Sequence, residues 1–290
     1  MGFTFRPITI IILMFTEAFM QRALLSALFL APLCALLGVF VTARRMAFFS
    51  DTISHAALAG VALGFWWGIA DPTVPLILFS VFIAASMMWL KEKTELLTDS
   101  IMALLLSGSV AFGVIILSLL EGHRADLHRF LFGDILAVSW PDVWSAAGLL
   151  AIVSAGVFLR FSSLTLLTAN EEIAYVSGIS VRQMNYAFVL VLTLTVALTI
   201  RLLGIMLVTS LLVIPAAAAR NISRNLRQQI VCSVVIGLVS GFAGTAAAYQ
   251  LNIPCGPAIV MTSIAVFILS IFVSFFRNRS GSAHETSTSR

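Results

Sequence analysis

Long apolar runs broken by short polar or basic stretches dominate the chain. Residues 72–90, 100–120, 143–159, 183–200 and 202–219 contain no Asp, Glu, Lys or Arg. Residues 228–276 contain none either, enough for two crossings if the chain turns near Asn252-Ile253-Pro254-Cys255-Gly256-Pro257. A helix needs roughly 20 apolar residues to cross a bilayer, and residues 23–42 and 47–67 supply two more candidates. The pattern predicts an all-α, polytopic integral membrane protein of eight or nine transmembrane helices. A transmembrane β-barrel would alternate polar and apolar residues over short segments, and such segments are absent here.

Composition agrees. Of 290 residues, 60% are hydrophobic and 10% charged, and the mean hydropathy is +1.05. Soluble domains carry about 25% charge, so this chain has too few polar groups to cover a globular surface. The three cysteines, Cys34, Cys232 and Cys255, lie far apart in or beside apolar runs. Their spacing supports neither a zinc ribbon nor a disulfide framework.

The basic residues orient the chain. If Arg44-Arg45 face the cytoplasm and each span reverses direction, the inner loops collect Arg44, Arg45, Lys91, Lys93, Arg160, Arg182, Arg220, Arg224, Arg227, Arg277, Arg279 and Arg290. That is twelve of the 17 Lys and Arg residues, the bias expected of cytoplasmic loops. It explains the net charge of +4 without a nucleic-acid partner, and it puts the C-terminus in the cytoplasm. With nine spans the N-terminus is outside. Residues 1–19 then form an outer, interfacial segment that lacks the basic start and cleavage site of a signal peptide. Residues 20–277 form the membrane domain, and the Ser/Thr-rich residues 278–290 read as a disordered tail.

Against this apolar background, Asp51-Thr52-Ile53-Ser54-His55 stands out. Positions i and i+4 share a helix face, and ionisable residues inside a span mark an ion or substrate pathway by default. Counted from Arg45 at 1.5 Å per residue, Asp51 lies about 9 Å and His55 about 15 Å into the membrane. His55 therefore reaches the midplane of a core about 30 Å thick. Ala56, Ala57, Ala59, Gly60 and Gly64 follow, small residues that let neighbouring helices approach. Carboxylate plus imidazole suits zinc, manganese or iron(II). The alternative is an Asp–His hydrogen bond that only locks two helices together.

Two further segments carry information. Residues 164–179, between two spans on the inner side, place Asn170 at an N-cap, Glu171 and Glu172 in the first turn and Gly178 at a C-cap. A short amphipathic helix there would offer a small face to a cytoplasmic partner, or lie in the interface with none. Residues 204–220 place Thr209 and Ser210 shortly before Pro215, which kinks a helix. Broken helices near the midplane belong to transport pathways, although such kinks also serve packing.

The run Arg44-Arg45-Met46-Ala47-Phe48-Phe49-Ser50-Asp51-Thr52-Ile53-Ser54-His55-Ala56-Ala57-Leu58-Ala59-Gly60-Val61-Ala62 resembles the signature of permease subunits of zinc, manganese and iron ABC importers. Phe130-Leu131-Phe132-Gly133-Asp134-Ile135-Leu136, Val208-Thr209-Ser210-Leu211-Leu212-Val213-Ile214-Pro215-Ala216-Ala217 and Pro254-Cys255-Gly256-Pro257 match further stretches of that family in the same order. The similarity spans about residues 31–276 and is greatest to bacterial zinc-uptake permeases. It implies a type II ABC importer-like permease in the bacterial inner membrane. It also implies a homodimer, a cytoplasmic ABC ATPase dimer, and a periplasmic or surface metal-binding protein as partners. Asp51 and His55 match the family's metal-coordinating pair. Glu171, Ala174 and Gly178 match positions of its coupling helix, with Glu172 beside them. Ser54, Thr209, Ser210 and Pro215 are candidate pathway residues. Cys255 departs from the small residue usual in the Pro-x-Gly-Pro turn. No cofactor is expected to be permanently bound, the metal being cargo.

The only lysines, Lys91 and Lys93, are not part of a Gly-x-x-x-x-Gly-Lys-Ser/Thr loop, the phosphate cradle of P-loop ATPases. The chain therefore reads as a transport subunit whose energy comes from a partner or from an ion gradient. In the second case it would be a proton-coupled transporter with Asp51 and His55 as the relay. A membrane scaffold that moves nothing is the third reading. Glu121, His123, Asp126, His128 and Asp134 lie in the outer loop between two spans, either as an ion relay or as ordinary solvated residues.

Overall fold

In a computed structural model the described residues are 18–69, 71–119, 138–251 and 253–285. They form eleven helices: α1 (Ala18–Ala43), α2 (Phe49–Trp66), α3 (Thr73–Lys93), α4 (Thr98–Ser118), α5 (Trp140–Leu159), α6 (Phe161–Ala169), α7 (Glu171–Val176), α8 (Val181–Leu203), α9 (Ile205–Ile222), α10 (Leu226–Leu251) and α11 (Cys255–Glu285). Eight of them are long and apolar enough to cross a membrane. The exception among the long helices is α2, although its 18 residues equal α9 in length. Asp51 and His55 are the residues that depress its hydropathy most.

Side-chain contacts mark the two ends of the bundle. At one end of the bundle, Arg44 reaches Asn185 at the start of α8, Lys91 at the end of α3 pairs with Glu171, and Asn221 of α9 donates to Ser270 of α11. At the other end lies the α2–α3 turn. There hydrogen bonds from Thr73 lower the pKa of Asp71 below its ordinary value, helped by the nearby charge of Arg201 from the end of α8. Gly204, at φ +79°, is the single residue between α8 and α9. The left-handed backbone that glycine tolerates reverses the chain there. Counting α2, nine helices among the described residues run the height of the bundle, in line with the alternating spans read from the sequence. The helix α11 continues to Glu285, into the polar stretch that begins at residue 278.

The core is organised around α1, which packs against α5, α8, α9 and α10. Small residues permit this. Ala27, Ala31 and Ala35 of α1 face Gly241, Gly237 and Ser233 of α10, an antiparallel match at four-residue spacing. The Ser233 hydroxyl donates to the Ala35 carbonyl across the interface at 2.8 Å. In lipid, helix association relies on such close approach and interhelical hydrogen bonds because apolar burial no longer discriminates. Further along the same stripe of α1, Gly38 lies against the Leu212 carbonyl of α9. The helix α9 runs unbroken through Pro215.

Candidate metal pathway and coupling helix

The helix α2 is packed between α3 and α4 and also touches α8 and α9. Gly60 lets it approach α3, where an added Cβ would stand 2.8 Å from Leu76 Cα. Ser50, Thr52, Ile53, Ser54, Ala56, Ala57, Ala59 and Gly60 are all buried. Asp51, His55 and Leu58 are only half-buried. Their spacing of four and then three residues is one helical stripe. The carboxylate and imidazole thus share the side of α2 that the chain's own helices leave partly open. Among the described residues neither forms a hydrogen bond or ion pair. The Asp–His lock weighed from the sequence is therefore not formed.

Ser54 is separate from this pair. It is fully buried and its hydroxyl has no partner among the described residues. On α9, Thr209 and Ser210 are half-buried. Their hydroxyls donate to the carbonyls of Ile205 at 3.3 Å and Met206 at 2.9 Å. This leaves their oxygen lone pairs as acceptors. Pro215 is buried one turn further along. No group of three or more His, Cys, Asp or Glu side chains converges among the described residues. Among the described residues the candidate ligands are thus the carboxylate and imidazole on α2. Glu121, His123, Asp126, His128 and Asp134 lie outside the described residues.

The second candidate, residues 164–179, is two helices meeting at Asn170. Its side-chain oxygen accepts from the backbone N–H groups of Glu172 at 2.8 Å and Ile173 at 3.1 Å, starting α7. The helix ends at Gly178, φ +80°. There Gly178 N–H donates to Tyr175 O and Ile179 N–H to Ala174 O, the paired bonds of a Schellman ending. Replacing Asn170 by Ala should weaken the local structure by about 1 kcal/mol. Faster hydrogen exchange confined to residues 171–176 would show it.

The four coupling candidates point different ways. Ala174 is 0% exposed and anchors α7 to the bundle. Glu171 is itself exposed, although its carboxylate accepts from Asn185 at 3.1 Å and pairs with Lys91 at 3.6 Å. Glu172 and Gly178 are exposed. The exposed apolar face is formed by Ile173, Tyr175 and Val176, at 54%, 74% and 85% exposure. Sequence reasoning passed over these three. Their signal was three large apolar side chains in a short, otherwise polar inner segment.

Arg44 connects the two regions. It donates to Thr168 Oγ1 of α6 at 3.1 Å and Asn185 Oδ1 of α8 at 3.2 Å. Its guanidinium also lies 4.2 Å from the centre of the Phe188 ring. Burial pushes its pKa down to about 10, against the opposing pull of the Glu171 charge, so it stays charged at neutral pH. Arg45, at φ +57°, turns the chain so that its own side chain is exposed while that of Arg44 is half-buried.

A bundle of membrane-length helices with an intramembrane Asp–His stripe and a short external helix defines a polytopic transport protein. The chain belongs to the ABC 3 transport family, whose model matches residues 16–274. It is 33% identical over 251 residues to the high-affinity zinc uptake system membrane protein ZnuB of Haemophilus influenzae, covering 86% of this chain and 95% of that one. It is 28% identical over 257 residues to the manganese transport system membrane protein MntC of Halalkalibacterium halodurans, covering 89% and 88%. The fold superposes on a chain of PsaBC from Streptococcus pneumoniae, solved in complex with a Fab, with a TM-score of 0.81. That match has 28% identity and covers 92% of this chain and 96% of the other.

Proposed function

We propose that this chain is the membrane-spanning subunit of an ATP-driven importer of divalent transition-metal ions, with zinc as the cargo and manganese or iron(II) as alternatives. The observation that carries this reading is the stripe on α2. A carboxylate and an imidazole stand one turn apart in a buried helix, half-open and without partners among the described residues. A charge held inside a membrane is costly, and a passing cation is the partner that offsets the cost. Two ligands per copy suit transit, because closed four-ligand sites are those that hold zinc structurally. The zinc and manganese relatives support the class of cargo.

The stripe faces away from the chain's own core, which supports a second copy of the chain completing the path. A periplasmic or surface binding protein delivers the ion to the Asp71 end, in an inner membrane with the Arg44 end and the C-terminus cytoplasmic. The ion passes Asp51 and His55, with Thr209 and Ser210 as weaker oxygen contacts. The exposed Ile173, Tyr175 and Val176 of α7 fit an apolar cleft on a cytoplasmic ABC ATPase, which supplies the energy.

The test is reconstitution of the permease with its ATPase in vesicles, comparing zinc, manganese and iron(II). Zinc should give both the strongest uptake and the strongest stimulation of ATP hydrolysis. Uptake by the permease alone, abolished by a protonophore and indifferent to ATP, would overturn the reading.

A further inference from the structure

The Arg44 cluster has no part in binding the ion, yet it contains a half-buried charge whose buried Nη2 has no partner among the described residues. A helix end needs no such group, since a turn between spans can be closed with small polar residues. Its partners explain where it leads. Thr168 stands two positions before the Asn170 cap of α7, and its hydroxyl is oriented by donating to Leu164 O at 2.7 Å. Asn185 accepts from Arg44 and donates through Nδ2 to Glu171, the first residue of α7. The guanidinium therefore touches both arms of the chain that hold α7.

On its other side Arg44 is fastened to the metal helix. Met46 N–H donates to Val41 O at 2.9 Å and Phe49 N–H to Met46 O at 3.0 Å, so the turn between α1 and α2 is stiff. Seven residues separate Arg44 from Asp51. A cavity of about 260 Å³ borders the cluster, lined by Arg44, Lys91, Thr98, Asn170, Glu171 and Asn185 among others. It is half-open to the surface rather than an enclosed void, and it gives the side chains room to shift.

We propose that Arg44, Asn185 and Glu171 form a mechanical relay through which displacement of α7 is passed to α2 and its ligand pair. Arg44 and Asn185 are positioning residues, and Glu171 serves the relay rather than the ATPase surface. The proposal rests on the importer reading above. Its warrant is a contiguous chain of bonded groups, which requires a direct measurement of coupling.

The relay can be cut without removing the partner of Arg44. In Asn185→Asp the new carboxylate still accepts from Arg44 but faces the carboxylate of Glu171, and the donor that joined them is gone. In the double variant Asn185→Asp with Glu171→Gln, the glutamine amide donates in the reverse direction and the link is restored. Glu171→Gln alone keeps an acceptor for Asn185. Each is reconstituted with the ATPase, and metal imported per ATP hydrolysed is measured beside the thermal midpoint and the amount of bound ATPase.

Asn185→Asp should lose about ten-fold or more in ions per ATP, within the roughly 5–150-fold typical of coupling between sites. Basal hydrolysis, midpoint and ATPase binding should stay at wild-type levels. Glu171→Gln and the double variant should couple within about two-fold of wild type, since a double-variant cycle isolates the pair. Full coupling in Asn185→Asp overturns the relay alone. So does a double variant as uncoupled as the single, or a loss matched by less folded complex. Absence of uptake by the wild-type complex refutes the importer reading and the relay with it.

Discussion

Replacing His55 by Ala is expected to reduce metal uptake about 100-fold or more. Loss of a mere supporting partner of a metal ligand already costs about 10–100-fold, and here one of two ligands would go. Replacing Asp51 by Asn should do nearly the same, because the amide keeps the shape but not the charge that attracts a cation. Stability should hardly move. Among the described residues neither side chain has a hydrogen bond or ion pair to lose, and both are only half-buried. Uptake of a radioactive or fluorescently reported metal, measured beside the thermal midpoint in detergent, separates the two effects. Normal uptake in either variant would remove the ligand assignment. An equal fall in uptake and midpoint would make the pair structural.

The second large effect is the reverse: a stability loss far from any chemistry. A Cβ added at Gly38 would stand 1.8 Å from the Leu212 carbonyl oxygen and 2.8 Å from its carbon. The obstacle is backbone, which cannot rotate aside as a side-chain tip can. Gly38→Ala must therefore push α1 and α9 apart, at the upper end of or beyond the about 1–3 kcal/mol usual for overpacking. The expected result is a permease recovered in low yield with a much reduced thermal midpoint. Gly148→Ala is the control, since an added Cβ in α5 meets nothing within 4 Å. A normal midpoint in Gly38→Ala would mean that α1 and α9 are not so closely apposed.

Much of this architecture is legible in the amino-acid sequence, for a physical reason. A bilayer demands continuous apolar length, so spans appear as uninterrupted runs. Apolar length alone selects eight helices. The ninth, α2, is recognised only by taking Asp51 and His55 as charges inside a span rather than as the edge of a loop. The Asn170 cap and the Gly178 ending were equally readable, because capping depends on residues within one turn. What stayed hidden depends on partners distant along the chain. Glu171 reads locally as an unpartnered acid in a first turn, yet Lys91 and Asn185 both engage its carboxylate. Ala174 matches a coupling position but is the buried anchor of its helix. Arg44 reads as one basic residue among many on the inner side. Its clamp depends on Thr168 and Asn185, more than a hundred positions away. The alanine and glycine ladder between α1 and α10 likewise joins segments about two hundred positions apart, and nothing local says which two helices meet.

The central position of α1 has a consequence for biogenesis. Of the described helices, α1 is made first, yet its permanent neighbours α8, α9 and α10 follow more than a hundred residues behind it. Until they arrive, Ala27, Ala31, Ala35 and Gly38 present an open groove to lipid or to other inserting segments. A chain halted before α10 would integrate its early segments yet leave that groove vacant, a recognisable mark for membrane proteases that clear unfinished transporters.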